Sequence, residues 1–254
     1  NKLGLYLHIP FWRSKCRYCD FYSLPDPSRM GDYVQALVRE LRQRSGELGD
    51  RTIDSIYVGG GTPTALSSEA LGEICRAVSE SYLLTDDCEW TVEANPATVN
   101  REKLSVLRQS GVNRLSMGLQ SIHSEELRYL GRIHDYTVFA DNFALARECG
   151  FANISVDLML GIPAQSVTSL RESIDRVAAL SPEHLSLYGL RIEEETPFFA
   201  ERERLPLPDE DCEREMYLSA VEQLALLGYR QYEISNFARE GYASRHNLRY
   251  WRRE

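Results

Sequence analysis

Apolar residues along the chain alternate between two rhythms. Short apolar runs that read as strands fall at 3–9, 53–58, 89–94, 114–119, 154–160 and 184–192. Between them, apolar stripes at helical spacing fall at 31–46, 67–83, 101–110, 124–130, 136–149 and 167–180. A further helical pattern at 209–227 leads through Gly228 into a strand-like stretch at 229–234. Gly111 and Gly150 close two of these helices, and Ser67 or Ser68 caps another. Six strands, each followed by a helix, predict a parallel sheet, because parallel neighbours need crossover connections. The glycine-rich and polar motifs sit where strands end, the rim at which α/β barrels and doubly wound open sheets alike place their ligands. Alternation alone leaves those two architectures open. The acidic stretch Glu193-Glu-Glu195 with Glu201-Arg-Glu-Arg204 reads as a solvated loop.

Composition narrows the partners. The 254 residues fit one large domain, and a 43% hydrophobic content suffices for its core. A net charge of −9 argues against general affinity for nucleic acid or an anionic membrane surface. No apolar run approaches the ~20 residues of a transmembrane segment. No basic, apolar leader precedes the first strand, and six cysteines suit reduced thiols in the cytoplasm better than a disulfide scaffold. The opening without Met and the ending at Trp251-Arg-Arg-Glu254 read as a fragment of a longer protein.

The candidate chemistry begins just past the first strand, where Cys16 and Cys19 form a C-x2-C pair. By itself that pair also suits zinc or a redox dithiol. Trp12 stands four residues ahead of Cys16, where a third thiolate would complete a C-x3-C-x2-C loop. Three thiolates on such a loop can hold a four-iron cluster and leave one iron open. An indole is no substitute, because its N–H is a donor without a free lone pair. Cys75, Cys88, Cys149 and Cys212 lie mid-helix or before strands and are poorly placed to replace it.

Other motifs fall at strand ends. Gly59-Gly-Gly-Thr-Pro63 lets the backbone turn sharply and approach a ligand closely, although a tight turn alone would also use it. It is no phosphate loop, since no Gly-Lys-Ser/Thr follows. Glu93, Gln120 and Asp157 lie at or near the ends of neighbouring strands, and each alone could be a loop cap or a surface polar group. Arg132, in Leu-Gly-Arg-Ile-His134, offers a planar fork suited to a carboxylate or else a solvated helix end.

The string His8-Ile-Pro-Phe11, followed by Lys15-Cys-Arg-Tyr-Cys-Asp-Phe21, resembles the radical SAM superfamily. Within it, the likeness is to the branch holding oxygen-independent coproporphyrinogen III oxidase and its heme-chaperone relatives, where the string reads Y-x-H-I-P-F-C-x3-C-x-Y/F-C. The resemblance runs over essentially the whole chain. It implies an α/β fold, an incomplete parallel (β/α)6 barrel over residues 1–254, with a C-terminal domain expected past residue 254. It also implies a [4Fe–4S] cluster on Cys16, Cys19 and the position held by Trp12. S-adenosyl-L-methionine (SAM) contacts are implied at Tyr6, Gly60, Gly61, Thr62, Glu93, Gln120, Arg132 and Asp157, with Arg132 suited to the SAM carboxylate. His8 is a candidate neighbour of the cluster loop, and His123, His134 and His184 read as packing or solvent residues.

Two features lean toward the heme chaperone. The oxidase carries another cysteine two positions after its third, where this chain has Phe21, and His246-Asn-Leu-Arg-Tyr-Trp251 resembles the chaperone's H-N-x-x-Y-W motif. His246 is then the candidate ligand for heme iron, with Tyr250 and Trp251 beside the porphyrin. The partners so implied are heme and apo-hemoprotein recipients. Without the resemblance, His246 reads as a surface histidine before an amphipathic strand. The alternatives are a radical SAM oxidoreductase of the coproporphyrinogen oxidase type and a cluster-less binding scaffold.

Overall fold

The computed structural model describes residues 2–24 and 26–254. Its elements run β1 (Lys2–Ile9), α1 (Met30–Ser45), β2 (Thr52–Gly60), α2 (Ser68–Ser81), β3 (Leu84–Ala94), α3 (Arg101–Gln109), β4 (Arg114–Gln120), α4 (Ser124–Leu130) and α5 (Tyr136–Glu148). They continue with β5 (Asn153–Leu160), α6 (Val167–Ala178), β6 (His184–Gly189), α7 (Pro197–Glu201), α8 (Glu210–Leu226), β7 (Arg230–Gln231), β8 (Asn236–Ala238) and α9 (Arg245–Arg252). Polar side chains start the longer helices by accepting a free backbone N–H: Ser67 for α2, Asn100 for α3, Asp135 for α5, Ser166 for α6 and Asp209 for α8.

The strand order decides between the two architectures left open above. β1 to β6 pair in sequence order, all parallel, and the sheet ends in β8 and β7. Crossovers between parallel strands are right-handed. An order that never reverses therefore puts every crossover helix on one face. That face carries the core, where Val58, Val92, Leu115, Val156 and Leu185 pack beneath the helices with 3% exposure or less. The opposite face has no helical layer, so the sheet curls into an open cup. This is the incomplete parallel (β/α)6 barrel, and no doubly wound sheet.

The cup's inner face is polar. In each strand the residues between the core positions are polar or aromatic, as in Ser55-Ile-Tyr57, Thr91-Val-Glu93, Arg114-Leu-Ser116 and Ser155-Val-Asp157. Their side chains meet across strands: Tyr57 bonds Glu93, Ser116 bonds Asp157, and Ser155 bonds His184 at 2.7 Å.

Four boundaries differ from the sequence reading. Helix α2 stops at Ser81, because Tyr82 is already extended and its hydroxyl donates to Leu41 O at 3.0 Å. β3 starts at Leu84 rather than 89, drawn in by pairing with Ile53 across an irregular register. β6 ends at Gly189, and its partner on the far side is antiparallel β8, so the 229–234 stretch is not a seventh parallel strand. Last, the segment holding His246 is a helix, not the approach to a strand.

Candidate functional site

The loop that follows β1 is tied to the rim at several points. Phe11 O accepts from Thr62 N–H at 2.6 Å, Ile9 O from Gly61 N–H at 2.8 Å, and Pro10 O from Leu24 N–H at 2.7 Å. Farther along, Arg17 N–H donates to Leu130 O at 3.1 Å and Arg17 O accepts from Phe198 N–H at 3.2 Å. Gly61 is required by closeness: a Cβ there would stand 2.5 Å from Phe11 O. Gly60 is required by conformation, with φ at +115°. The glycine run thus locks the cysteine loop onto β2. Thr62 contributes its backbone to that lock.

Cys16 and Cys19 are half-buried on this loop, and Cys19 N–H donates to Cys16 O at 3.2 Å. Burial, with the neighbouring Cys16 adding to it, raises the Cys19 thiol above its ordinary value. Trp12 is half-buried as well, and its indole N–H is enclosed with no acceptor. Among the described residues, no group of three His, Cys, Asp or Glu side chains stands together as a metal site. Two thiols and an unpartnered N–H donor do not fit a four-iron cluster that needs three thiolates.

Carboxylates and a guanidinium gather beside the loop. Glu93 accepts from Tyr57 Oη at 2.8 Å and from Gly60 N–H at 3.1 Å. Burial nevertheless pushes its carboxyl up to about 7, with nearby Asp157 raising it further against the Tyr57 bond. Asp157 accepts from Ser116 Oγ at 3.2 Å and is itself raised by burial, while Ser186 and Arg114 act to lower it. Arg132 Nη2 donates to Tyr18 Oη at 2.8 Å, and its Nε is buried with no partner. Burial opposes its charge, but Tyr18, Cys16 and Asp157 outweigh that and hold it cationic. Gln120, 6% exposed, ends β4 with φ at +74°. Its amide and the Arg132 guanidinium both border Gly118, at 3.0 and 3.7 Å from where a Cβ would stand.

The structure therefore brings together Gly60, Glu93, Gln120, Arg132 and Asp157 with the cysteine loop. Tyr6 lies lower on β1, opposite Tyr57 in the register, with its hydroxyl 3.0 Å from His8 Nδ1. His8 in turn reaches Tyr22 O at 3.0 Å and so braces the loop.

His246 is elsewhere. It is 4% exposed at the opposite, lower end of the cup, where α9 closes the floor, so it is no surface histidine. Its Nδ1 is 3.2 Å from Ser55 Oγ, its ring stacks on Tyr57 at 5.3 Å, and its Nε2 is buried without a partner. Burial, aided by Arg249, lowers its pKa to about 4, so the imidazole is neutral. Tyr250 and Trp251 stand out from the same helix at 65% and 56% exposure. His123 and His134 pack against carbonyls of Ser169 and Leu119, and His184 lies between Ser155 and Tyr232.

Three participants escaped the sequence reading: Tyr18, which holds Arg132; Tyr57, which holds Glu93; and Arg114, 1% exposed under Asp157. The signal for the last two was the polar residue at every second strand position.

A family model described as the radical SAM superfamily matches residues 6–177. The chain belongs to the radical SAM superfamily. Within it, the chain is 40% identical to the heme chaperone HemW of Bacillus subtilis over 98% of its own length and 67% of that protein's. It is 39% identical to the mitochondrial radical S-adenosyl methionine domain-containing protein 1 of Mus musculus, over 99% of this chain and 58% of the relative. The solved structure of coproporphyrinogen III oxidase (HemN) from Escherichia coli superposes with a TM-score of 0.86 at 28% identity, covering 94% of this chain and 56% of that one. The chain thus spans two thirds or less of these relatives' lengths. The resemblance read from the cysteine string holds, with the heme chaperones as its nearer branch by identity.

A pH experiment isolates Glu93. Its folded carboxyl, at about 7, lies above the ordinary 4.5, so its protonation stabilises the fold fully below 4.5 and that contribution disappears as pH rises through about 7. Urea unfolding should show the parent losing on the order of 2–3 kcal/mol relative to Glu93→Gln between pH 4.5 and 8. Parallel pH dependences in the two proteins would contradict this.

Proposed function

We propose that this chain is the barrel of a heme chaperone of the HemW type, which binds heme and passes it to apo-hemoproteins. The observation that carries the reading is His246: a neutral imidazole whose Nε2 has no hydrogen-bond partner, with Tyr250 and Trp251 on the same helix. A neutral, unpartnered imidazole nitrogen has the lone pair that heme iron takes. The names of the HemW relatives point the same way. Six free cysteines, and no helix among the described residues long and apolar enough to cross a membrane, suit work in a reducing compartment such as the cytoplasm.

SAM belongs to this reading as a bound ligand at the rim, and the residues there fit it. Arg132 carries a buried donor without an acceptor, which a carboxylate would satisfy. Glu93 and Asp157 offer acceptors for hydroxyls or an amine, and Gln120 an amide. SAM bound there supplies a sulfonium cation as well as those polar groups. Radical chemistry is not part of the proposal, because Trp12 leaves the cluster position with two thiols. That separates the chain from an oxidoreductase of the coproporphyrinogen oxidase type.

Hemin titration followed at the Soret band tests the main reading. The parent should give a ligated spectrum, and His246→Ala should lose it or bind at least tenfold more weakly; an unchanged spectrum and affinity would remove His246 from the heme site. For the rim, an unmet buried donor or acceptor costs about 1–3 kcal/mol. Arg132→Ala should therefore weaken SAM binding by roughly 5- to 150-fold in calorimetry. Equal affinities would place SAM away from Arg132. For the loop, Trp12→Cys should gain about four irons and four sulfides per chain on anaerobic reconstitution, which the parent should not. Full cluster loading of the parent would show that Trp12 does not stand in a ligand position.

A further inference from the structure

Heme ligation by His246 is the reading on which this inference rests, and the covered floor of the cup stands in its way. His246 Nε2 has no exposed surface, the Tyr57 and Tyr6 rings stack at 5.3 and 6.4 Å, and α9 covers the rest. A porphyrin cannot bring its iron to that nitrogen while α9 stays seated.

Apart from the His246 ring stacked on Tyr57 and Tyr6, the contacts that seat α9 are ionic or polar. The Glu89 carboxylate accepts from the N–H groups of Arg245 and His246 at 3.2 and 3.3 Å and from Ser244 Oγ at 3.3 Å. Arg245 pairs with Asp87 at 3.0 Å. Arg249 pairs with Asp54, with both side chains largely buried, and reaches Lys2 O at 3.4 Å. The three carboxylates stand on β2 and β3, where the register between the two strands is irregular. On the helix itself, His246 is the one buried residue among the described positions. Little apolar surface would be lost if α9 left, whereas three carboxylates would each lose a partner. Its seat is thus set by charge.

We propose that α9 is an electrostatically latched plug, held by Asp54, Asp87 and Glu89, which swings away from the cup floor to present His246 Nε2 with Tyr250 and Trp251 to heme. A ligand that binds only the open form sees its affinity reduced by the open fraction. Neutralising the latch raises that fraction and hence the apparent affinity, without touching any group that contacts heme.

The first measurement needs no heme. Diethyl pyrocarbonate labelling of His246 in the whole protein, read by peptide mass against His123 of the same molecule, reports how often the plug opens. His246 should be protected in the parent and label at least about fivefold faster in Glu89→Gln and in Asp54→Asn. Asp87→Asn, which touches only a more exposed pair, should move in the same direction by less and guards against loss of fold in the other two. Hemin affinity should rise by a similar factor in each variant, with the Soret maximum unmoved.

Equal labelling of His246 in parent and variants would overturn the latch. Faster labelling with unchanged hemin affinity would overturn its role in heme access. A Soret band that survives His246→Ala would instead refute the ligand reading, while the labelling result would still decide whether α9 is latched.

Discussion

Parallel crossovers turn right-handed and the order of β1 to β6 never reverses, so one face of the sheet receives all the crossover helices, while α9 meets the other at its floor. That asymmetry is what the rest of the molecule answers to. On the helical face, Leu115, Val156 and Leu185 are sealed at 1% exposure or less. On the bare face the same strands carry Arg114, Ser116, Asp157 and Ser186, because side chains there meet each other and water across a curved wall rather than a packed helix. A parallel sheet covered on both faces would read as continuous apolar runs. Here the alternation marks a chamber.

Within the chamber, charges of both signs are stacked from floor to rim. Arg114 lies lowest, with its Nη1 3.4 Å from Thr91 Oγ1 and its Nε unpartnered. Asp157 and Glu93 come next, and Arg132 closes the top beside Tyr18. Neither acid has its charge met by a contact ion pair, and burial raises both. Isolated charges in such a place cost several kcal/mol each, so Asp157 persists between the opposite charges of Arg114 and Arg132. A ligand bearing both a cation and an anion can enter the chamber without upsetting the sum, which a plain anion could not.

Much of this was readable in advance. Six strand–helix pairs, and the placing of Gly60, Glu93, Gln120 and Asp157 at or near strand ends, follow from periodicity and the polar motifs that break it. What was not read has physical causes. β7 and β8 hold two and three residues, too few to show any period. The first half of β3, Leu84-Thr-Asp-Asp-Cys88, is polar and exists because Ile53 pairs with it. Helix α9 is eight residues long with His246 its one buried residue, too short for its periodicity to announce it, and Arg245 and Arg249 help to hold it in place. Tyr57 and Arg114 were visible only as every second residue of a strand, a rhythm that gains meaning once the bare face of the sheet is known.

The position of α9 along the chain bears on how the molecule is made. Each of β2 to β6 pairs with the strand synthesised just before it, so the wall of the cup is built from local partners. The tie between Asp54 and Arg249, in contrast, joins residues 195 positions apart. The cover over Tyr57 and Ser55 thus comes from residues 245–252, the last to leave the ribosome among those that form the cup. The floor of the cup is therefore the last part of it to be laid.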